Sequence, residues 1–390
     1  MAVQRRQAAR ERQRRSSAQA AALGLKYVSS RELSLRRRKR GKGFSYYDAE
    51  GRRIADRRTV QRIHALAIPP AWSAVRIAAD AAAHIQAVGH DQAGRLQYIY
   101  HPTWKMLREW RKVHRLVAFA EALPRVREGI RRDLKAPAGS RRLALAVGAG
   151  LIDASAIRIG GESHHRRTGA CGAVTLRRRH VAVNGRFLHL CFPAKGGKEF
   201  VCDLEAPELM SPIRRLTDLR GRRLLAYRDD DGTLALLRAR HLNEYLAELA
   251  GHRISAKDFR TFQATALAGD RLAQLTPEDT AAKRDRQMAA VMKEVSERLG
   301  NTPSMARNSY VHEIVQACFA GGTLAEQWNR SGRRPALLEP HEAALARLLK
   351  TVAPARLRRP TLMPELVATA GPIARADVGP GSREPLASAG

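Results

Sequence analysis

The segment Leu299-Gly300-Asn301-Thr302-Pro303-Ser304-Met305-Ala306-Arg307-Asn308-Ser309-Tyr310 puts a polar joint and a phenol into one short stretch. Glycine ends one helix and Thr-Pro opens the next, so the tyrosine is expected two turns into that second helix, nine positions after Asn301. Such an arrangement can aim a phenol and a hydrogen-bond donor at one point. Three cations stand out beside it. Arg158 lies in Ala156-Ile157-Arg158-Ile159-Gly160 at the end of an apolar helix, where a charge between isoleucines is costly to bury unless paired. Arg260 lies in Ser255-Ala256-Lys257-Asp258-Phe259-Arg260, in which Ser255 can cap a helix. Lys195 sits at the tip of a tight turn, Lys195-Gly196-Gly197-Lys198. Each has an ordinary reading: a structural ion pair for Arg158, a surface position for Arg260, loop solvation for Lys195, and a core aromatic for Tyr310 beside Val311 and Ile314. Taken together they suit one chemistry. A phenol with a pKa near 10 is a poor nucleophile at neutral pH, and two guanidiniums would favour the phenolate while stabilising charge on a phosphodiester.

The charge of the chain supports an anionic target. Its 390 residues carry a formal net charge of +33, an excess that opposes compaction and makes sense as a field for a polyanion. Nucleic acid is the expected partner. An anionic membrane surface is the alternative, but no apolar run is long enough for a spanning helix. Cys171, Cys191, Cys202 and Cys318 show no C-x-x-C spacing and read as scattered thiols of a reducing compartment. No Walker A loop is present: Gly197-Lys198 is followed by Glu199, and Gly41-Lys42 by Gly43, where Ser or Thr is needed. Asp229-Asp230-Asp231-Gly232 reads as a solvated turn rather than a Mg²⁺ site, and His164-His165 lies among arginines that would repel a metal. No cofactor, nucleotide or metal is therefore expected.

Apolar residues make up 44% of the chain, enough to bury real cores, and the length suggests two or three domains. Residues 1–27 are rich in Arg, Ala and Gln without an apolar h-region. They read as a disordered basic arm that adds DNA affinity, with an organelle transit peptide as the alternative. Residues 28–110 hold strand-like runs such as Gly43-Phe44-Ser45-Tyr46-Tyr47 and Gln97-Tyr98-Ile99-Tyr100, and Ile68-Pro69-Pro70-Ala71-Trp72 cannot be helix interior. Residues 111–325 are mainly helical. Met288, Val291, Met292, Val295 and Leu299 follow helical spacing, with Thr276-Pro277 as the expected start and Gly300 as the stop. A hairpin interrupts the helices at Val181–Leu190, where Asn184-Gly185 favours a type I′ turn. Residues 326–390 read as a low-complexity tail with a short helix near 340–350. The fold class is α+β: a small, mostly β N-terminal domain and a larger helical domain with a β-hairpin insertion.

At this point the ordered motifs resemble those of the poxvirus-type and bacterial type IB DNA topoisomerases, from about Leu33 to about Gly322. They are Arg-Gly-Lys-Gly-Phe at 40–44, Ile-Pro-Pro-Ala-Trp at 68–72, Gly-Arg-Leu-Gln-Tyr-Ile-Tyr at 94–100, Ile-Arg-Ile-Gly at 157–160, Val-Thr-Leu-Arg-Arg-Arg-His-Val at 174–181, Lys-Asp-Phe-Arg-Thr at 257–261 and Gly-Asn-Thr-Pro-Ser at 300–304. The resemblance implies that Tyr310 is the nucleophile, Arg158 and Arg260 the catalytic arginines, Lys195 the general acid, and Lys257 an aid to proton delivery. Asn301 falls where poxvirus members have histidine; an amide donates at any pH, whereas imidazole changes charge near 6.5. Gln97, Tyr98 and Tyr100 match DNA-contacting residues, and Lys42 and Arg95 lie in two of the same motifs. The implied reaction relaxes supercoiled duplex DNA by single-strand cleavage through a 3′-phosphotyrosyl intermediate, strand rotation and religation, without ATP or metal. The implied architecture is a C-shaped clamp.

Three departures bear on DNA positioning rather than chemistry. Thr168-Gly169-Ala170-Cys171-Gly172 lacks an aromatic before the glycine, Phe262 replaces a tryptophan, and Arg108-Glu109-Trp110-Arg111-Lys112 is unusually basic. A tyrosine recombinase-like strand transferase is the nearest alternative, but its His-x-x-Arg box is Lys257-Asp258-Phe259-Arg260 here. A non-catalytic DNA-binding or chromatin protein would share the charge without needing Tyr310 in this company. Heavy Ala and Arg usage suggests a bacterial source, and the protein is expected to act as a monomer in the cytoplasm, on the nucleoid.

Overall fold

The computed structural model describes residues 2–219 and 221–356. It divides into two compact units, one ending at Lys112 and one running from Val113 to Arg356. The first opens with helix α1 (Ala2–Ala21). This corrects the reading of residues 1–27 as disordered: alanine, glutamine and arginine are all good helix formers. The end of α1 is anchored, because Ala20, Leu23 and Leu25 bury against Trp104 and Leu107.

Next come β1 (Leu35–Arg40), β2 (Gly43–Tyr47), helix α2 (Arg57–Ala65), β3 (Ser73–Ile77), β4 (Ile85–His90) and β5 (Leu96–Tyr100). The strands form one antiparallel sheet in the order β2-β1-β3-β4-β5. Asp56 caps α2 by accepting from Thr59 N at 2.8 Å, and Ile63 of α2 packs with Leu35, Val75, Ile77 and Ala87. A separate cluster gathers Leu33, Ala78, Ile85 and Val88. Alternation along β5 sends Ile99 to the first cluster and Tyr98 to the second.

His84, just before β4, is 3% exposed. Its Nδ1 accepts from Val28 N at 3.1 Å, and its ring stacks on Tyr27 with centroids 4.2 Å apart. Burial pulls the imidazole pKa down to about 4. Between the ordinary 6.5 and that value the unfolded chain takes up a proton that the folded chain refuses. The contribution to stability is thus complete above about pH 6.5 and lost as pH falls toward 4, about 3 kcal/mol in all. Thermal melts at pH 7.5 and 4.5 check this: His84→Gln, which can still accept from Val28, should lose less stability on acidification than wild type. Equal losses would refute it.

Helix α3 (Pro102–Asp133) contains the boundary between the units. The second unit continues with α4 (Arg141–Ser155), α5 (Glu162–Thr168), the three-stranded meander β6 (Val181–Asn184), β7 (Phe187–Pro193) and β8 (Glu199–Glu205), and α6 (Pro207–Thr217). In the β6–β7 hairpin Asn184 pairs with Phe187, so the two loop residues are Gly185 and Arg186. Only Gly185 has positive φ (55°), which excludes the expected type I′ turn: the asparagine is spent in the strand. A ribbon follows, β9 (Ala226–Arg228) and β10 (Leu234–Leu236), whose connection is closed by Thr233 N donating to Asp229 Oδ1 at 2.8 Å. The Asp229-Asp230-Asp231-Gly232 segment is thus the solvated turn its sequence suggested.

The remaining helices are α7 (Ala239–Ala250), α8 (Ala256–Ala273), α9 (Ala281–Leu299), α10 (Pro303–Met305), α11 (Glu313–Ala320), α12 (Leu324–Trp328) and α13 (Pro340–Arg356). Helix α8 lies at the centre of the core. Phe259 and Phe262 are fully buried, and Phe119 of α3 meets Phe259 edge-on at 4.9 Å. Its first turn is fixed by Asp258, which receives Ser255 N at 2.7 Å and the Arg115 fork at 2.5 and 2.7 Å. Helix α9 buries Met288, Val291, Met292, Val295 and Leu299 as its spacing predicts. Its cap is Thr280 rather than Thr276-Pro277. Gln287 explains the shift, since it bonds Thr276 O at 2.8 Å and receives Glu278 N at 3.2 Å, holding 276–279 outside the helix.

The reading of 326–390 as a tail is also corrected in its first part. Leu345, Leu348 and Leu349 of α13 join the main core, and Arg127 binds both Asp153 (2.8 Å) and Glu342 (2.6 Å). The rest of that segment, beyond 356, lies outside the described residues. Among the described residues no helix is long and apolar enough to cross a membrane.

Candidate active site

Helix α4 ends at Ala156, which adopts a left-handed conformation (φ 53°) and turns the chain into an extended segment carrying Arg158. That segment is held by its neighbour: Ala173 N donates to Arg158 O at 2.8 Å and Val174 N to Ile159 O at 2.9 Å. Gly172 permits this approach, since a Cβ there would collide with Arg158 O and the Gly160 backbone. Across from it, α9 stops at Gly300 (φ 58°). A Cβ on Gly300 would meet the Phe200 ring of β8 at 3.1 Å.

The corner 299–301 holds both arginines. Arg158 Nη2 donates to Asn301 Oδ1, and Nη1 lies 3.4 Å from Gly300 O. Arg260 Nη2 donates to Leu299 O at 3.0 Å, and Nη1 donates to Ala156 O. Among the described residues neither arginine pairs with a carboxylate. The ordinary readings of both are therefore set aside: Arg158 has no acidic partner among the described residues, and Arg260 is 2% exposed rather than on the surface. Asn301 is buried, and with its oxygen committed to Arg158 its Nδ2 has no acceptor among the described residues. In effect the amide is an oriented donor.

Tyr310 lies against this group, its ring centroid 4.9 Å from the Arg260 guanidinium carbon. The expected position two turns inside a helix is not what forms. Helix α10 is short, and Ala306–Tyr310 closes a π-turn in which Val311 N donates to Ala306 O at 2.8 Å. Val311 is extended and His312 N-caps α11, so the tyrosine ends its helix. Burial pushes the half-buried phenol up, but the charges of Arg260, Arg158 and Lys257 outweigh it, and the pKa falls below the ordinary 10. Burial likewise pulls Arg260 down, to about 10, so it remains a cation across the neutral range.

The fold thus brings together Arg158, Arg260, Asn301 and Tyr310, with Lys257 exposed on the first turn of α8 and near enough to act on the phenol. Lys195 is exposed at the β7–β8 turn and makes none of the contacts joining the others. Two residues given no role in the sequence reading do touch the group. Lys198, in the same turn as Lys195, points Nζ at Asn301 O (3.4 Å). Thr265 of α8 places its hydroxyl 3.1 Å from both Tyr310 O and His312 N. Its one sequence signal is a polar residue within the buried run Ala264–Ala266.

The duplex-binding candidates belong to the first unit. Tyr98 and Tyr100 stack at 5.8 Å on one side of β5, while Gln97 lies on the other and donates to Asp91 Oδ2 at 2.9 Å. Arg108 caps Tyr100 at 4.5 Å, Arg95 pairs with Asp91 at 2.8 Å, and Lys42 is exposed in the β1–β2 turn. Among the described residues no group of three or more His, Cys, Asp or Glu is arranged to hold a metal ion.

A sheet unit followed by a helical unit, with cations gathered around a phenol, fits an enzyme class that acts on nucleic acid phosphates. Residues 101–319 match the family described as eukaryotic DNA topoisomerase I, catalytic core, and residues 43–91 match bacterial DNA topoisomerase IB, N-terminal domain. The DNA topoisomerase 1B of Acanthamoeba polyphaga mimivirus is 30% identical over 282 residues, covering 70% of this chain and 84% of that protein. The chain belongs to the type IB DNA topoisomerases and is an isomerase acting on DNA.

Proposed function

We propose that this protein relaxes supercoiled duplex DNA by transient cleavage of one strand through a 3′-phosphotyrosyl intermediate. The observation that carries the reading is the pairing of a phenol of lowered pKa with two arginines that neutral carbonyl and amide oxygens hold in place. Uncompensated by carboxylates, both guanidiniums keep their full charge for a phosphate. Tyr310 Oη gives up its proton to solvent and attacks phosphorus, Arg158, Arg260 and the Asn301 amide stabilise charge on the non-bridging oxygens, and the 5′ oxygen leaves. Lys195, exposed beside Gly196 and Gly197 in the β7–β8 turn, gives that oxygen its proton, and Lys257 assists. One phosphoester replaces another, so the reverse step reseals the strand after rotation with no nucleotide or metal. Gln97, Tyr98, Tyr100, Lys42 and Arg95 contact the duplex. The protein acts as a monomer on the bacterial nucleoid.

A supercoiled plasmid incubated with the protein in EDTA, without nucleotide, should relax, and denaturation during the reaction should trap protein on a DNA 3′ end. A requirement for metal, attachment to a 5′ end, or strand exchange between marked duplexes in place of relaxation would overturn the reading.

A further inference from the structure

On the reading of Tyr310 as nucleophile, we propose that Thr265 is a positioning residue that indexes the Tyr310 main chain to the helix carrying Arg260. Tyr310 ends a π-turn and Val311 is extended, so no continuing helix fixes the phenol's backbone on its C-terminal side. Thr265 supplies the link. It is fully buried on α8, five residues after Arg260. Its Oγ1 accepts from His312 N at 3.1 Å, and its one proton faces two acceptors, Tyr310 O at 3.1 Å and Thr261 O at 2.6 Å.

A hydroxyl has a single proton and two lone pairs, so it can serve only one of those acceptors at a time. The bond to Thr261 O is the usual fallback of a helical threonine. It leaves the hydroxyl satisfied whenever the proton is withdrawn from Tyr310 O, while the His312 contact keeps the strap in register. The link thus locates the segment without locking it. β-Branching restricts the side chain's rotamers, and α8 is seated by its buried phenylalanines, so the reference point is rigid. The same helix thereby carries Arg260, Lys257 and the stop for the tyrosine.

The test uses the full chain with Thr265→Val, which keeps the shape and removes the hydroxyl, and Thr265→Ser, which restores it. Two measurements are made. One is the single-turnover rate of adduct formation on a duplex, alongside DNA affinity. The other is the titration of the Tyr310 phenol without DNA, by NMR of ¹³Cζ-labelled tyrosine assigned with Tyr310→Phe. The Val variant should cleave on the order of 10²-fold more slowly at unchanged affinity, the scale of a 1 Å misplacement. Its phenol should titrate higher as Arg260's influence weakens, and Ser should recover both. Where the wild type cleaves, a Val rate equal to it, a slowed rate with an unmoved phenol, or a loss that Ser does not recover would overturn the proposal; so would an unmoved phenol in a chain that never cleaves. Should Val fail to fold, Thr265→Ala, lacking the added methyl, is read the same way. The titration needs no DNA: a chain that never cleaves yet shows the shifted phenol would sink the functional reading and leave the positioning role standing.

Discussion

Tyr310→Phe is expected to bind duplex DNA, form no covalent adduct and relax no plasmid, with turnover falling on the order of 10⁶-fold, the scale of deleting a covalent nucleophile. The variant isolates chemistry from structure. The ring is half-buried against the core and sits 4.9 Å from the Arg260 guanidinium, a contact phenylalanine retains. The main chain of residue 310, held by Thr265, is untouched. What disappears is the oxygen whose pKa the surrounding cations lower. The check is a relaxation time course with gel separation of adducts after denaturation, beside a binding isotherm. A Phe variant that relaxes plasmid at the wild-type rate would end the enzymatic reading.

The second large effect belongs to Arg260. Arg260→Lys keeps a positive charge but should lose on the order of 10²–10³ in the rate of adduct formation, the scale of removing one preorganised donor. The geometry gives the reason. One planar fork reaches Ala156 O and Leu299 O together and still faces the phenol, and a single ammonium on a flexible stem cannot do all three. The phenol should also titrate higher, because burial alone raises it and Arg260 is the largest influence opposing that rise. Cleavage measured between pH 7 and 10 should then reach half its limiting rate at higher pH than in wild type. A Lys variant within about threefold of wild type at every pH, where a missing donor costs about a hundredfold or more, would make Arg260 a structural residue.

Much of this arrangement was legible in the sequence, and the illegible parts share a cause. Helical spacing in α9, the strand-like run of β2 and the alternation in β5 are local signals, and they held. Arg158 between two isoleucines suggested a paired charge, but not that the partners would be a carbonyl and an amide 142 and 143 positions away. Nothing local in Ala306–Tyr310 marks a π-turn. Its i→i+5 bond answers to the break at Val311, and the strap beyond is held by Thr265, a tertiary partner. Asn184-Gly185 misled because strand register, set by the whole meander, placed the asparagine inside β6. Gln97 and Tyr98 are adjacent in one motif, yet the pleat sends them to opposite sides of the sheet.

The acids around the second unit's core are already engaged: Asp258, two residues before Arg260, by Arg115, and Asp153 and Glu342 by Arg127. Among the described residues none is left to act as the site's counter-ion. Repulsion between Arg158 and Arg260 persists in the free protein and contributes to Arg260's lowered pKa. On the proposed mechanism an arriving phosphate relieves that repulsion, so the substrate stabilises the protein at the same atoms where it is cut. On the same proposed mechanism, cleavage leaves the phosphate bound to Tyr310 beside the same cations, and the two guanidiniums remain neutralised until the strand is resealed.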